Sequence, residues 1–447
     1  MQQSNSTEQT GQAPADSNAA KDSRSLGRVV LLGLFFAVHL SFYVSALGTN
    51  SYKHVYPQGE IQDVKTLDYS QVPNGAKTFF EGGETFIPGA WTAGGPRPYP
   101  VLRNVYHPLF TLVVGGVLQV FRLEAGFAVF ALLKLGVTVY FFRVLYEKYR
   151  ASDQFLFAAF VMLCHFSQSI EIGSGQYHFL LNSCIFMLLL DSVEGRSQIR
   201  LSLWYSLSLF VKPLTLLWIP LLLMRRTFWL AVVPAGSFFA ATIIYYVWTG
   251  ETTFYVDNLI RMSAGTLGND ALPRYSVTGI LTFLSGPEFA FVTKHLLVLA
   301  LLAVTYRMRN SLVIGVFVWV CYFLLFYSLV YDYHYTTLIP VLVLGILTRR
   351  EFQDWFAKLL MVLICLPSPL LLFKAAGVFP YVEGQWRREI GANPVDLARN
   401  LSDDGMCVLM CLKVLPLLVL MIYVWYRHEP SDMSDGPGGT SPVAEPS

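Results

Sequence analysis

Residues 320–350 read VCYFLLFYSLVYDYHYTTLIPVLVLGILTRR. An apolar tract is interrupted by Tyr331-Asp332-Tyr333-His334, resumes, and ends on Arg349-Arg350. A spanning helix needs about 20 apolar residues, fewer where neighbours cover its ends, so the pattern reads as two membrane helices joined by a short polar turn. The same reading extends outward to apolar runs at roughly 28–48, 124–143, 154–170, 177–192, 227–248, 289–306, 311–330, 335–348, 356–374 and 405–426. Two stretches are expected not to cross alone. One is 105–121, which is too short; the other is 199–224, where Lys212-Pro213 breaks the run into the two arms of a hairpin. The fold class is therefore all-α, a polytopic integral membrane protein with about 10–13 membrane segments.

Composition agrees. Of 447 residues, 54% are hydrophobic and only 14% charged, values outside the range of soluble enzymes. A net charge of +2 is too small for a nucleic-acid partner, and the basic residues fall in short clusters between apolar runs. The six cysteines, at 164, 184, 321, 365, 407 and 411, lie in or beside apolar segments without metal-ligand spacing and read as buried free thiols. The run Val29 to Leu47 exceeds a signal-peptide core and is expected to stay as an anchor. Residues 1–27 and 427–447 read as disordered cytoplasmic tails, and 28–426 as one membrane domain with no soluble domain appended.

The positive-inside rule orients the chain. With the tail bearing Lys21, Arg24 and Arg28 in the cytoplasm, the basic loops RVLYEKYR, EGRSQIR, MRRTF, YRMRN and LTRREF all fall on that side. Residues 49–104, EIGSGQYH, 249–288, YDYH and 375–404 then share the opposite face. The loop 49–104 contains the acids Asp63, Asp68, Glu81 and Glu84 and an amphipathic stretch (Val72, Ala76, Phe79, Phe80) suited to lie in the interface. An acid followed by such a helix holds a carboxylate at the lipid–water boundary, where it can act as a general base. Lys134, in mid-span, marks a pathway or pairs with an acid; it is the feature that favours the alternative of a transporter or lipid flippase. Against that alternative, no internal repeat is evident.

The order of Asp68, YHPLF, GSGQYHFLLNSCIFMLLL, FVKPLTLLWIPLLLMRR and YSLVYDYHYTTLIP resembles the membrane glycosyltransferases of the GT-C class that use polyprenol-phosphate mannose, in particular glycosyltransferase family 87, over about residues 60–350. The resemblance implies a GT-C-type helical bundle with a long first extracytoplasmic loop. It makes Asp68 the catalytic base, matches Gly175-Gln176 and Lys212-Pro213 to the family's GQ and KP pairs, and matches Asp332 and His334 to its acid-then-histidine segment. The chain departs from the family pattern at Tyr331-Asp332-Tyr333-His334, where a tryptophan, an acid and two histidines are usual, at Val72 in place of a tyrosine, and at RYSVTG in place of Asn-Gln-Ser.

The implied reaction moves a hexose, mannose first, from a polyprenyl-phosphate sugar to a lipid or glycan acceptor by direct displacement with inversion. Its expected setting is the extracytoplasmic face of a multi-pass cell membrane, a bacterial inner membrane first. The chemistry stands without the resemblance too. A site facing away from the cytoplasm has no nucleotide sugars, and the sequence has no GxxxxGKT loop, so the donor must already be in the membrane. Cations must take up the leaving phosphate's charge. Lys212, Arg261 and Arg274 are the expected phosphate contacts, with His334 bonding or protonating the phosphate. Gln176, His107 and Tyr331 complete the expected substrate-binding set, and no metal or cofactor is required. Partners are the donor, the acceptor and membrane lipids. The orientation has a direct check: cysteines introduced at positions 68 and 390 should react with an impermeant reagent from outside and one at 197 should not, the reverse pattern overturning it.

Overall fold

A computed structural model describes residues 16–48, 67–83, 104, 106–225, 227–250, 275–285, 287–327, 330–367 and 403–429. The described residues form helices and connecting turns, with no strand among them. In chain order these are α1 (Asp16–Tyr43, prolonged by a π turn Val44–Gly48), α2 (Leu67–Phe80), α3 (Pro108–Leu118), α4 (Leu123–Tyr149), α5 (Phe155–Cys164) and α6 (Ser167–Ser174). There follow α7 (His178–Val193), α8 (Gln198–Val211), α9 (Ile219–Met224), α10 (Phe228–Thr249), α11 (Val277–Ser285) and α12 (Pro287–Met308). The last are α13 (Leu312–Phe326), α14 (Leu338–Thr348), α15 (Trp355–Cys365) and α16 (Asp403–Arg427).

By length and composition, four of these are long and apolar enough to cross a membrane: Leu26–Gly48, Glu124–Tyr149, Trp229–Thr249 and Met410–Arg427. A fifth arises if α5 and α6, bent by 40° at the break between them, count as one span. The expected segment 154–170 is thus a broken helix. Shorter apolar helices, among them α3, α7, α13 and α15, pack between the long ones.

The core runs along α13. All fifteen of its residues are buried, so it is surrounded on every side, as an apolar helix without a polar face must be. Between helices in lipid, apolar burial gives little net drive and close packing takes over. Gly315 illustrates this, because a Cβ there would lie 2.5 Å from a methyl of Leu221 on α9. Cys184, Cys321 and Cys365 are buried as expected, whereas Cys164 and Cys411 are half-buried at the helix surface.

The hairpin at Lys212-Pro213 is present. Lys212 is extended (φ −151°, ψ 130°), which ends α8, and Pro213 opens a 3-10 turn that doubles back. The Tyr205 hydroxyl donates to the Thr215 carbonyl at 2.8 Å and the Tyr205 ring stacks on Trp218, so the two arms lie side by side. The tip meets His178 at the start of α7. The feet sit at the far end, where Arg200 pairs with Asp191 at 2.7 Å and Arg225 donates to the Arg309 carbonyl at 2.8 Å.

That far end collects the basic loops. Arg28 pairs with Asp153, Lys148 with Glu194, and Arg350 with Glu429, while Arg307 donates to the His428 carbonyl. The charge segregation read from the sequence is thus a segregation in space.

Lys134 has a partner. Its Nζ lies 3.0 Å from Glu171 Oε1, with both side chains almost fully buried. Removing one member of such a pair strands a charge, whereas removing both does not. Lys134→Met should therefore cost about 3 kcal/mol of stability in thermal or denaturant unfolding, and Lys134→Met/Glu171→Gln should recover most of it. Equal losses in the single and double variants would show that the pair contributes nothing of its own.

Candidate active site

Helix α2 forms where the first loop's amphipathic stretch lies. Val72 and Ala76 are fully buried, Phe79 packs near Tyr245 and Trp248 of α10, and Phe80 points outward. Its buried face lies on α3, where a Cβ at Gly115 would sit 2.4 Å from the Val72 carbonyl oxygen. At its N-terminal end, the first turn of α2 rests on Gly175, the left-handed residue (φ +72°) that caps α6. A Cβ at Gly175 would lie 2.5 Å from Tyr69 Cβ, so any other residue would fail both on conformation and on space. The Tyr177 hydroxyl donates to the Tyr69 carbonyl at 3.0 Å and fixes the seat.

This seat brings Asp68 against the residues that flank Gly175. Gln71 donates to Asp68 Oδ1 at 2.9 Å, and the Gln176 and Ser174 side chains lie within hydrogen-bonding reach of the carboxyl. Gln176 is oriented by the Tyr106 hydroxyl, which donates to Oε1 at 3.1 Å and leaves the amide N–H groups for the carboxylate. Burial raises the Asp68 pKa from 3.8 to about 6, opposed by the Lys212 charge and by the hydrogen bonds from Gln176, Ser174 and Gln71. A carboxyl tuned in this way can take up a proton near neutrality while being ionised beforehand.

The hairpin tip supplies the cation. Lys212 Nζ lies 3.1 Å from His178 Nδ1 and 5.2 Å from the centre of the Tyr106 ring. The His178 ring in turn faces that of His334, with centroids 5.0 Å apart. The YDYH stretch is a 3-10 turn, Asp332–Thr337, whose first residues are locked by a capping box: Tyr331 N–H donates to His334 Nδ1 at 2.9 Å. That bond fixes the tautomer of the neutral ring with its proton on Nε2. Burial, and then the Lys212 charge, holds the His334 pKa well below its ordinary value. His334 can therefore donate a hydrogen bond from Nε2 as a neutral imidazole.

The expected site residues separate into two groups. Asp68, Gln176, Lys212 and His334 converge at one end of the bundle. Asp332 points away from this cluster: it accepts from Ser167 Oγ at 2.6 Å and lies 3.5 Å from Lys413 Nζ of α16. His107 caps α3, with Nδ1 accepting from Leu109 N–H at 3.2 Å and Nε2 bonded to Thr242 at 2.9 Å, so both ring nitrogens are engaged. Tyr331 is half-buried beside Tyr333 and His334. Arg261, Arg274, Asp63 and Glu84 lie outside the described residues.

Three residues of this region were not singled out from sequence. His178 and Tyr106 sit inside the GQYH and VYHPLF stretches and could have been found as polar side chains next to matched motifs. Lys413 lies alone in an apolar run, and no local pattern points to its partner.

One turn deeper than His178 and His334, a narrow, partly open cleft lies between α4, α5–α6, α7 and α14. Its walls include Phe141, Phe179, Phe186, Ile339 and Val343, with the Lys134–Glu171 pair at one side. Asn182, also in the wall, donates to Thr336 of the 3-10 turn at 3.2 Å, which ties the cleft to the polar cluster above it.

No curated protein matches the sequence. A family model does: glycosyltransferase family 87 matches residues 104–331, just over half of the chain, and takes in the α3 start, Gly175-Gln176, the Lys212-Pro213 hairpin and the approach to the YDYH turn. A polytopic helical chain with this match belongs to glycosyltransferase family 87, and its activity is the transfer of a sugar from a donor to an acceptor.

Proposed function

We propose that the enzyme transfers a hexose, mannose first, from a polyprenyl-phosphate donor to a lipid or glycan acceptor, at the extracytoplasmic end of the bundle and with inversion at the anomeric carbon. The convergence of Asp68, Gln176, Lys212, His178 and His334 carries this reading, because it sets one carboxylate opposite a cation and two imidazoles. Asp68 accepts the proton of the acceptor hydroxyl as its oxygen bonds to the anomeric carbon. The bond from that carbon to the phosphate oxygen breaks, and the phosphate departs with the electron pair on the opposite side. Lys212 meets the developing negative charge and His334 Nε2–H donates to it. The first isoprenoid units of the donor run into the apolar cleft beside Phe179 and Val343.

A membrane donor accounts for an acidic and basic cluster that adjoins an apolar cleft rather than a phosphate-binding loop. The assay is incubation of the purified enzyme with a panel of polyprenyl-phosphate sugars and measurement of released polyprenyl phosphate; a chain that only moved lipids would leave every donor intact.

Asp68→Asn keeps shape and hydrogen bonding but removes basicity, so turnover should fall by about a hundredfold or more with folding unchanged. Neutralising the exposed Glu81 should leave turnover near wild type. Because the free-enzyme carboxyl titrates at about 6 and must be ionised to act, kcat/KM should fall as pH drops through 6 and level off above it. A profile flat from pH 5 to 8 would remove Asp68 from the base role.

His334→Ala should lower turnover by about a hundredfold and weaken donor binding, while Asp332→Asn, which keeps the Ser167 bond, should cost less. A purely structural turn would instead lower yield and melting temperature and leave kcat per folded molecule unchanged.

A further inference from the structure

The feature that the reaction scheme does not use is a buried ammonium behind the YDYH turn. Lys413 is 1% exposed, yet it sits in an otherwise apolar stretch of α16, outside the residues that the family model matches. Its ammonium makes two hydrogen bonds and one ion pair. The hydrogen bonds meet the carbonyls of Ile364 and Leu366 at 3.0 Å, the open C-terminal end of α15, where a cation is favoured. The ion pair is with Asp332 Oδ1 at 3.5 Å, and the ammonium also lies 5.4 Å from the centre of the Tyr335 ring. Ser167 Oγ donates to the same Asp332 oxygen, and Phe166 N–H donates to the Cys365 carbonyl at 3.0 Å. Four separate pieces of chain, α6, the 3-10 turn, α15 and α16, are thus joined at one point.

The placement has a consequence for the site. Asp332 and His334 belong to one 3-10 turn, in which residues two apart project to different sides. His334 faces His178 and the polar cluster; Asp332 faces Lys413. A shift of Asp332 therefore turns His334 with it. A brace this costly in desolvation needs a reason in geometry, since an apolar contact would hold α16 just as well.

We propose that Lys413 is a positioning residue for glycosyl transfer: through Asp332 it fixes the turn that aims His334 at the donor phosphate. The C-terminal helix is then part of the active-site framework rather than an appended span. The inference rests on the assignment of His334 to the donor phosphate, so its test must separate the two.

The experiment measures steady-state kinetics with the polyprenyl-phosphate sugar identified by the donor panel, on Lys413→Met, Asp332→Asn/Lys413→Met, His334→Ala and His334→Ala/Lys413→Met, each corrected for folded protein. Lys413→Met should raise the donor KM and lower kcat, for about a tenfold loss in kcat/KM, with the acceptor KM unchanged. The double neutral variant removes both charges together, so it keeps its fold should Lys413→Met alone fail to, and it should show the same donor-specific loss. Adding Lys413→Met to His334→Ala should cost at most a further twofold, because the lysine acts through the histidine. Wild-type donor KM and kcat in either folded Lys413 variant, with His334→Ala impaired, would overturn the brace and leave the His334 assignment standing. Normal kinetics in His334→Ala would overturn that assignment and the brace with it.

Discussion

The first turn of α2 can lie against the α6–α7 junction only because position 175 has no Cβ, and the arrangement of the polar end follows from that contact. With Tyr69 seated on Gly175 and its carbonyl held by Tyr177, Asp68 has no freedom to choose its neighbours: it must face Gln176, and through it Tyr106. The second close approach, at Gly115, fixes the middle of α2 on α3. A helix pinned at two glycines is set in angle as well as in place. That is what a carboxylate needs if its distance to a reacting hydroxyl is to be held within a fraction of an ångström.

The apolar bundle constrains the charges differently at its two ends. At the far end they pair with each other or with open carbonyls across short loops, partly exposed, as Arg28–Asp153 and Arg350–Glu429 do. Exposed pairs of this kind contribute little stability and mainly report which side of the bundle the loops share. Within the bundle, Lys134–Glu171 and Lys413–Asp332 are each buried, and each joins helices distant in sequence. Such pairs gain little net free energy over apolar contacts but tolerate few alternative geometries. Their positions next to the cleft and behind the YDYH turn put rigidity where alignment matters.

Sequence patterning revealed most of the helices, because apolar runs bounded by basic loops are a strong signal in a chain of this composition. It also foresaw the hairpin, since Lys212-Pro213 both removes a donor and breaks the apolar run. The break between α5 and α6 was not legible: His165 and Phe166 lie in a continuous stretch, and the bend depends on Phe166 bonding to Cys365, two hundred residues away in sequence. The same holds for Lys413 and Asp332, whose pairing is a long-range contact with no local spacing. His107 shows the opposite case. A histidine before proline at the end of a long loop reads as available, yet as the first residue ahead of α3 it is drawn into capping.

In the proposed mechanism Lys212 serves two groups in turn, and that sharing shapes the chemistry. In the free enzyme its charge is the main influence that opposes the rise in the Asp68 pKa caused by burial. When a donor phosphate arrives, the ammonium acquires a second anion, and its effect on Asp68 is offset by the negative charge that it now pairs with. The carboxylate becomes a stronger base at the stage when an acceptor hydroxyl needs one, and a weaker base when the site is empty. His178, bonded to Lys212 through Nδ1 and stacked edge-on to His334, holds the ammonium between the two requirements. A hairpin tip is a suitable carrier for such a group. Its two arms anchor it along the length of the bundle, and the extended Lys212 backbone, which ends α8, projects the side chain beyond the helix end toward both partners.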